Sequence, residues 1–470
     1  MKYDYDVVCI GLGPAGMAVS VMASEMGLKV CAIEKDKVGG ECMNVGCIPS
    51  KSILRIAKYR HAVKNLNRMG LSDSDLSTLK APFDKIQEYL SFISEKKTMK
   101  MFDKVDLILN EGSASFSDPH TVRIAGRTVT GRKIFIATGT EPKMLPIPGI
   151  DEVDILTNKN IFTLENVPGS MTVIGGGAIG CELAQAFTRL GTKCSIVQMD
   201  GYLVPEGDPQ AGELLESVFK EEGIDVYNSR SITKIERNGE NINLHTEDGL
   251  CLTSEKLMLA AGRDVVLDGL KLENAGVEYG KKGINVDAKL RTNVKHIYAV
   301  GDCNGGLMLS HAAMHQGMFA IMNTVSPLYK FKYGKYVIPW TVFTDPQVSY
   351  VGMKAKDLKA RGINYKTYTV NYRDYGAAIA ESVETGFVKV FTNSLGKVYG
   401  VSIVGEGSGE MINEWALAIQ KKIRLHDIMF LAHSFPSMGF LSKRVAETWM
   451  MDKMKSGFIR RMCRFLFKMT

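Results

Sequence analysis

The chain has 470 residues and a net charge of +7, with 45% hydrophobic and 23% charged residues, which is ordinary for a globular protein of about three domains. The sequence lacks an apolar run of about 18 residues, so we expect no membrane-spanning helix. A strand-like run begins at Tyr5, so we also expect no signal peptide. Nine cysteines are too few for a disulfide scaffold, so we expect the scattered ones to be reduced and buried, in a cytoplasmic protein.

The first predicted strand, Tyr5 to Ile10, runs into a glycine-rich turn, and a helical pattern follows. Eighteen residues after the last glycine of this turn, a second strand ends in Glu34. Such glycines let the backbone approach a pyrophosphate at a helix N-terminus, and the carboxylate suits an unphosphorylated ribose, as in FAD. The segment therefore predicts a dinucleotide-binding fold with the glycine fingerprint Gly11, Gly13 and Gly16.

Cys42 and Cys47 follow closely, and their spacing predicts a broken helix. Residues five apart lie about 140° apart around an α-helix, whereas a disulfide needs Cα atoms roughly 4.4–6.8 Å apart. We expect a bend before Cys47, allowed by Asn44 and Gly46, and a new helix with Pro49 in its first turn. A cysteine near a helix N-terminus is favoured as a reactive thiolate.

A polar, helix-like stretch between residues 65 and 100 interrupts this first fold, and a strand at Ile134 to Ile136 then leads into Thr138 and Gly139. After a proline-rich linker, the fingerprint recurs following Val173 and Ile174. Two copies in the same strand–turn–helix context predict two bound dinucleotides. The glycines of the second copy are Gly175, Gly177 and Gly180.

The second copy also carries a polar residue, Gln198, at the position that would meet the ribose. This side chain is neutral, and residues 199–206 contain no Arg or Lys to bind a 2′-phosphate. Asp200 would repel such a phosphate. The sequence therefore favours NADH over NADPH.

The second fold is expected to end near Gly262 and Arg263, after which another strand leads into Asp302. From about residue 336 onward, strand-like and helix-like segments mix without a new glycine fingerprint, which predicts an α+β domain. The strand-like segments are Tyr336–Ile338, Phe387–Phe391 and Val398–Val404, and the helix-like ones are Gly409–Lys422 and Leu441–Met450.

Together these motifs resemble the flavoprotein disulfide reductase family, which includes dihydrolipoamide dehydrogenase, glutathione reductase and mercuric reductase. The resemblance spans essentially the whole chain and is strongest at residues 39–51, 137–139, 301–302 and 343–346 and at both fingerprints. It implies an α/β homodimer with two Rossmann-like domains and an α+β dimerisation domain. The implied segments are 1–150 and 276–335 for FAD, 151–275 for NAD(P), 336–450 for dimerisation and 451–470 for a basic tail.

The resemblance also implies roles for individual residues. Cys47 would lie next to the flavin and Cys42 would face the substrate, while Lys51 would pair with Glu182 beside the flavin. Electrons would pass between NADH, FAD and the Cys42–Cys47 disulfide, with no metal site and no nucleic-acid partner. The implied FAD-binding residues are Gly11, Gly13, Gly16, Glu34, Gly40, Lys51, Thr138, Gly139 and Asp302, and the implied NAD(P)-binding residues are Gly175, Gly177, Gly180, Gln198, Gly262 and Arg263.

The chain departs from the family at the catalytic base, which is usually a His in the pattern His-Pro-Thr-x-x-Glu. Phe435 and Phe440 stand at the His and Glu positions, and phenylalanine cannot move a proton. His433 is a candidate substitute if the loop is rearranged, and the other interpretation is a capping or surface histidine. Mercuric-reductase-like members carry an aromatic residue there, and often an acidic residue such as Glu41 before the first cysteine. The resemblance thus implies a dihydrolipoamide-dehydrogenase-like enzyme, with a metal-ion or quinone reductase as the alternative.

The tail from Lys453 to Thr470 places apolar residues and Arg or Lys on opposite sides of a helical pattern. One interpretation is a tail helix packed on its own dimer with its cations in solvent. The other is a basic amphipathic helix on an anionic membrane. The second interpretation allows a further alternative function, a flavin-bearing subunit of a membrane-associated complex with little turnover of its own.

Overall fold

The computed structural model describes residues 2–69, 81–93, 97–327 and 330–469. The chain divides into two compact units, each assembled from separate stretches of sequence. The first unit comprises Met1–Ala57, Leu76–Ile174 and Ile232–Tyr336, and the second comprises Lys58–Asp75, Gly175–Ser231 and Val337–Thr470. Part of the predicted polar excursion (residues 70–80 and 94–96) lies outside the described residues. The five predicted segments do not coincide with these units and stay a domain hypothesis.

The described helices and strands give the chain a mixed α/β composition, as the sequence predicts. The helices are α1 Pro14–Glu25, α2 Gly40–Asn44, α3 Cys47–Lys64, α4 Pro82–Ile93, α5 Ala178–Leu190, α6 Pro209–Glu221, α7 Ser310–Val325, α8 Ala355–Ala360, α9 Gly376–Ala380, α10 Ser408–Lys421, α11 Leu425–Phe430, α12 Phe440–Met454 and α13 Gly457–Phe467. Among the helices that the structure describes, none is long and apolar enough to cross a bilayer.

Most strands are short, with lengths between two and ten residues. The strands are β1 Tyr5–Ile10, β2 Val30–Glu34, β3 Asp106–Leu109, β4 Ser115–Asp118, β5 Thr121–Ile124, β6 Arg127–Ile136, β7 Thr140–Pro142, β8 Ile155–Leu156, β9 Ser170–Ile174, β10 Lys193–Val197, β11 Asp225–Tyr227, β12 Ile232–Asn238, β13 Asn241–Thr246, β14 Cys251–Ser254, β15 Lys256–Leu259, β16 Arg263–Val265, β17 Tyr279–Gly280, β18 Gly283–Ile284, β19 Ile297–Ala299, β20 Trp340–Val342, β21 Val348–Gly352, β22 Lys366–Asn371, β23 Phe387–Thr392 and β24 Val398–Val404.

The first unit is built on a sheet in the order β3-β2-β1-β6-β5-β4, with β19 also paired to β6. The strands β3, β2, β1, β6 and β19 are parallel, and their side chains alternate between two apolar layers. Val7 and Cys9 face one layer while Val8 and Ile10 face the other. Because both faces are covered, β1 is almost continuously apolar, which is typical of a parallel sheet.

Smaller sheets complete the first unit. Strands β8 and β9 both pair in parallel with β15, while β12, β13 and β14 form an antiparallel sheet. β7 pairs with β16, which brings residues 140–142 against residues 263–265. This pairing brings Thr140 and Arg263 together, and both belong to the candidate active site.

The second unit contains an antiparallel sheet in the order β20-β21-β24-β23-β22. Helices α10 and α12 cover this sheet, and the fully buried Trp415 and Tyr372 lie in the core between them. The unit also contains α5 and α6 and the parallel pair β10–β11. The predicted α+β character of residues from 336 onward is borne out by these elements.

Two expectations from the sequence are wrong. Tyr336–Ile338 is not a strand, because the Tyr336 amide bonds back to Tyr333 and the Val337 amide bonds to the Gln420 side chain. The first strand of that sheet begins only at residue 340. Not every scattered cysteine is buried either, since Cys251 and Cys463 are exposed.

Candidate active site

The two cysteines lie on either side of a break between two helices. Cys42 is inside the short helix α2, and Cys47 is the first residue of α3. The intervening Val45 leaves the helical conformation with φ −141° and ψ 18°. The predicted bend and the predicted position of Cys47 are both present. Pro49, which lacks an amide hydrogen, lies in the first turn of α3, where that hydrogen has no helical acceptor.

The residues with left-handed backbone torsions at this bend are not the expected Asn44 and Gly46. Gly39 and Gly40 adopt the left-handed conformation, with φ values of 93° and 56°, whereas Asn44 continues α2 and uses its side-chain amide to bond Gly40. Gly46 is required for a different reason. A Cβ atom there would lie 2.8 Å from the carbonyl oxygen of Glu41. The bend therefore depends on close packing of the backbone at Gly46 and on the left-handed torsions that glycine allows at Gly39 and Gly40.

The two cysteines are thiols, and their side chains are hydrogen-bonded to each other. This hydrogen bond, together with burial, raises the pKa of Cys42 far above its ordinary value. Cys42 therefore keeps its proton and donates the hydrogen bond that Cys47 accepts. The arrangement gives the two sulfurs different chemical characters, as a dithiol that opens and closes requires.

Ser310 is a neighbour of the dithiol that the sequence did not indicate. It is the first residue of α7, and its hydroxyl oxygen lies 3.1 Å from the sulfur of Cys47, although 263 residues separate them. The same hydroxyl acts to lower the pKa of Cys42. A hydroxyl in this position can donate a hydrogen bond to a thiolate.

Glu41 belongs to a polar cluster beside the dithiol. Its carboxylate accepts hydrogen bonds from the Arg263 guanidinium and, at 3.3 Å, from the Asn158 amide. Arg263 also donates to the hydroxyl and carbonyl oxygens of Thr140, at 2.7 and 2.9 Å. The Thr140 hydroxyl in turn donates to Asp302 at 3.2 Å. The predicted nucleotide residue Arg263 is thus engaged within the first unit, through the β7–β16 pairing.

Within this cluster, Asp302 has a pKa that its surroundings change. Burial raises the pKa of Asp302, and the nearby Arg263 cation opposes that rise. One carboxylate oxygen of Glu41, Oε1, is buried without a hydrogen-bond partner. The hydroxyl of Thr138, in the predicted FAD motif, is also buried without a partner. These two atoms mark places where a polar ligand can bind.

The first fingerprint forms a tight turn with one open side. A Cβ atom on Gly16 would lie 1.8 Å from the carbonyl oxygen of Gly11, so this glycine is needed for close packing. A Cβ atom on Gly13, the N-cap of α1, or on Gly139 would meet nothing within 4 Å. The buried Glu34 carboxylate accepts hydrogen bonds from two backbone amides, which fixes it at the end of β2. Open space next to Gly13 and a fixed carboxylate are what a bound dinucleotide requires.

The second fingerprint has the same geometry. Gly177 is the N-cap of α5 and has open space beside it, and Gly175 adopts a φ of 110°. Gln198 is buried and donates a hydrogen bond to Asn228 at 2.6 Å. The Gln198 carbonyl also accepts from the backbone amide of Arg230 at 2.9 Å. The fold therefore brings the backbone of Arg230 next to Gln198, although residues 199–206 contain no Lys or Arg.

Lys51 and Glu182 belong to different compact units, and their predicted pairing stays a prediction. Lys51 lies one turn after Cys47 and donates to the Ser50 hydroxyl at 3.4 Å. Glu182 is buried in α5 and accepts a hydrogen bond from the amide of Phe343 at 2.8 Å. Gly180 is buried in the same helix.

The residues at the family's acid–base positions form an aromatic pair. The rings of Phe435 and Phe440 meet edge to face, with centroids 5.4 Å apart, and Phe435 is 71% exposed. His433 lies nearby, with Nε2 3.0 Å from a carboxylate oxygen of Glu414 and Nδ1 3.2 Å from the carbonyl oxygen of Leu431. Both ring nitrogens already face acceptors, so His433 holds this loop in place in the present arrangement. Its role as a base stays a prediction.

Comparison with known proteins identifies the family. Residues 5–317 match the profile described as pyridine nucleotide-disulphide oxidoreductase, and residues 338–443 match the dimerisation domain of the same family. The chain belongs to the pyridine nucleotide-disulphide oxidoreductase family. This flavoprotein disulfide reductase is therefore an oxidoreductase of a family that binds FAD and NAD(P)H, and its dimerisation domain supports a homodimer.

Several relatives of this flavoprotein disulfide reductase are similar over most of their length. A mercuric reductase of Bacillus cereus is 32% identical, covering 91% of this chain and 68% of its own. A dihydrolipoamide dehydrogenase of Chaetomium thermophilum is also 32% identical, covering 94% of this chain and 90% of its own. The structure of the HOCl-induced flavoprotein disulfide reductase RclA from Escherichia coli superposes with a TM-score of 0.85 at 25% identity, covering 94% and 99% of the two chains.

The residues of this flavoprotein disulfide reductase fit FAD. The open side of Gly13 and the unpartnered Thr138 hydroxyl offer space and hydrogen-bonding capacity that the protein itself does not use. The Glu34 carboxylate is held in place at the end of β2 by two backbone amides. What the sequence could not reveal are the partners brought from far along the chain, namely Ser310 beside Cys47, Glu414 beside His433 and Arg230 beside Gln198.

Proposed function

We propose that this protein transfers electrons from NADH through FAD to a disulfide formed by Cys42 and Cys47, and from the resulting dithiol to an external acceptor. The observation that carries the proposal is the pair of free thiols on either side of the break between α2 and α3, with the Ser310 hydroxyl 3.1 Å from the Cys47 sulfur. When bound, FAD would supply the chemistry that converts a hydride from the nicotinamide into two electrons. Reduction of the disulfide consumes these two electrons and one proton, and it breaks the S–S bond to leave one thiol and one thiolate.

The protein's own groups divide the work at the two sulfurs. In this proposal Ser310 donates to the Cys47 thiolate, and Cys42 holds the proton because its pKa is raised by its hydrogen bond to Cys47. Oxidation of the reduced pair passes two electrons to the acceptor, releases one proton and closes the S–S bond. Cys47 would lie next to the flavin and Cys42 would attack the acceptor. Lys51 and Glu182 would hold the flavin.

The polar residues of the first unit are proposed to hold FAD. Gly11, Gly13, Gly16 and Glu34 would bind its adenosine and pyrophosphate, and Thr138 would use its unpartnered hydroxyl. The remaining proposed contacts come from Gly40, Gly139 and Asp302. Arg263, predicted for NAD(P), has its guanidinium committed to Glu41 and Thr140, and its proposed part is to hold Glu41 in place.

We propose an acceptor that needs no proton from a protein base. Phe435 and Phe440 fill the usual acid–base positions with an aromatic pair, and a positioned acid–base group is worth about 10²- to 10⁴-fold in rate. A metal ion, a quinone or an activated disulfide meets this condition better than dihydrolipoamide. The relatives include a protein named mercuric reductase and one named dihydrolipoamide dehydrogenase, so both a metal ion and dihydrolipoamide are to be tested.

Reoxidation of the reduced enzyme by different acceptors tests this proposal. The enzyme is reduced with NADH and mixed with lipoamide, glutathione disulfide, Hg²⁺ or a quinone in a stopped-flow instrument. We expect fast reoxidation by Hg²⁺ or the quinone and slow reoxidation by lipoamide. Fast turnover with lipoamide would refute the inference that Phe435 at the acid–base position makes dihydrolipoamide a poor substrate. The alternative of a flavin-bearing subunit with little turnover predicts slow reoxidation by all four.

The preference for NADH is part of the same proposal and depends on the region around Gln198. The neutral side chain and nearby Asp200 disfavour a 2′-phosphate, whereas Arg230 is the cation that could bind one. A ratio of kcat/KM for NADH over NADPH above one supports the preference. A working dithiol also suits a reducing compartment, so the cytoplasmic location, with peripheral membrane contact through the tail, remains our prediction.

A further inference from the structure

Nearly all of the net charge of the chain lies in its last eighteen residues. Residues 453–470 contain six Lys or Arg and no Asp or Glu, while the whole chain has a net charge of +7. This leaves a net charge of only +1 on residues 1–452. The tail is therefore a concentrated cation on an otherwise nearly neutral protein.

Helix α13 accounts for most of this segment and is set off from α12. Ser456, with φ −63° and ψ 124°, breaks the helix between them, and the guanidinium of Arg460 donates to the Met454 carbonyl at 2.9 Å. This hydrogen bond joins α13 to the end of α12. Among the described residues of α13, none is buried.

The surface of α13 is divided into two sides. At about 100° per residue, Phe458, Met462 and Phe465 fall on one side, whereas the cationic side chains fall on an arc of about 100° opposite them. Phe458 and Phe465 are 69% and 64% exposed, and Met462 is 45% exposed. Leu466 extends the apolar side. The cations of the opposite arc are Arg460, Arg461, Arg464 and Lys468.

We propose that α13 docks this protein on an anionic phospholipid surface, with Phe458, Met462 and Phe465 inserted at the level of the headgroups. Helices with one apolar side and one strongly basic side lie in the plane of such interfaces, and each Lys or Arg near an anionic surface adds to the affinity. Charge complementarity favours this occupant. A second copy of this chain offers no net negative surface, because residues 1–452 are nearly neutral.

A nucleic acid would match the cations but would leave the apolar side in water. Its affinity comes chiefly from Lys and Arg contacts to phosphates, and these contacts use only one side of α13. The exposed aromatic rings on the other side are explained by lipid and not by a polyanion. Docking through α13 is separate from electron transfer and does not depend on the proposed function.

The test is binding of the full-length, FAD-loaded protein to vesicles, measured by co-sedimentation. We expect binding to vesicles of phosphatidylglycerol mixed with phosphatidylcholine, weaker binding as salt is added, and little binding to phosphatidylcholine alone. Replacing Arg460, Arg461 and Arg464 with Gln should lower the partition coefficient on the order of 100-fold, about fivefold per cation. The matched control changes three exposed cations on or next to α8, Lys356, Lys359 and Arg361, to Gln. It should bind like the wild type.

A second variant tests the apolar side. Phe458→Ser with Phe465→Ser should lower the partition coefficient roughly 10- to 100-fold, whereas the exposed Leu395→Ser should not change it. Flavin absorbance confirms that each variant is folded. Equal binding to neutral and anionic vesicles, or unchanged binding in both α13 variants, would overturn the proposal. Conversion of the Phe458/Phe465 variant from dimer to monomer in sedimentation would assign α13 to the subunit interface instead and would also overturn it.

Discussion

Replacing Ser310 with Ala is expected to move the ionisation of the Cys47 thiol to higher pH. The thiolate of Cys47 is the one that would give a charge-transfer absorbance band with the flavin. The hydroxyl lies 3.1 Å from the Cys47 sulfur, and both residues are half-buried at the start of a helix. A hydrogen bond to a charged group is worth about 1.5–3 kcal/mol. Partial exposure places this one at the lower end. Its loss makes the thiolate-to-thiol ratio about tenfold smaller at any given pH.

The assay is a pH titration of the long-wavelength charge-transfer absorbance of the two-electron-reduced enzyme. We expect the midpoint in Ser310→Ala to rise by about one pH unit, because one unit corresponds to 1.36 kcal/mol. Ser310→Thr keeps the hydroxyl and should titrate like the wild type. Ser52→Ala removes a hydroxyl from α3 that bonds the Ile48 carbonyl, and it serves as the matched control.

The direction of the change decides between the two possible donors. If Ser310 donates to the Cys47 thiolate, its removal destabilises the charged form and the midpoint rises. If the Cys47 thiol donates to Ser310 instead, removal destabilises the neutral form and the midpoint falls. A falling or unchanged midpoint would refute the assigned role of Ser310.

Three further predictions follow from contacts in the first and second units. In Cys47→Ala, Cys42 loses the main cause of its raised pKa, so the reduced protein should react with iodoacetamide at lower pH than the wild type; an unchanged pH profile would contradict this. Gly16→Ala should destabilise the protein by about 3 kcal/mol or more because its Cβ meets a carbonyl oxygen, whereas Gly13→Ala should fold within about 1 kcal/mol of the wild type but bind less FAD. Thermal melting measures the stability of each variant, and flavin absorbance measures its FAD content. Equal behaviour of the two variants would contradict the packing role of Gly16 and the FAD-binding role of Gly13. Arg230→Gln should raise KM for NADPH about tenfold and leave KM for NADH nearly unchanged; parallel changes in steady-state kinetics would remove Arg230 from the coenzyme site.

Local sequence predicted the parts of the fold and the site that depend on neighbouring residues. The break before Cys47 follows from a spacing that a helix cannot bridge, and both nucleotide turns follow from their glycines. The strand expected at Tyr336–Ile338 failed because an aromatic and β-branched run is apolar enough for a strand, yet its amides bond to a turn and to a side chain.

Contacts between distant segments could not be predicted in the same way. Ser310 reaches Cys47 only because α7 begins beside the start of α3, and nothing in the residues around Ser310 indicates a sulfur partner. Arg263 follows the second fingerprint in sequence, but the β7–β16 pairing turns it toward Glu41. Such contacts depend on the packing of whole elements, which no local pattern encodes.

The central claim is that electrons enter the Cys42–Cys47 pair from the flavin. Anaerobic reduction with NADH, followed by absorbance, tests this claim most directly. The account predicts a long-wavelength charge-transfer band in the wild type after two electrons, and its loss in Cys47→Ser. A wild-type enzyme that bleaches directly to fully reduced flavin without this band would contradict the account.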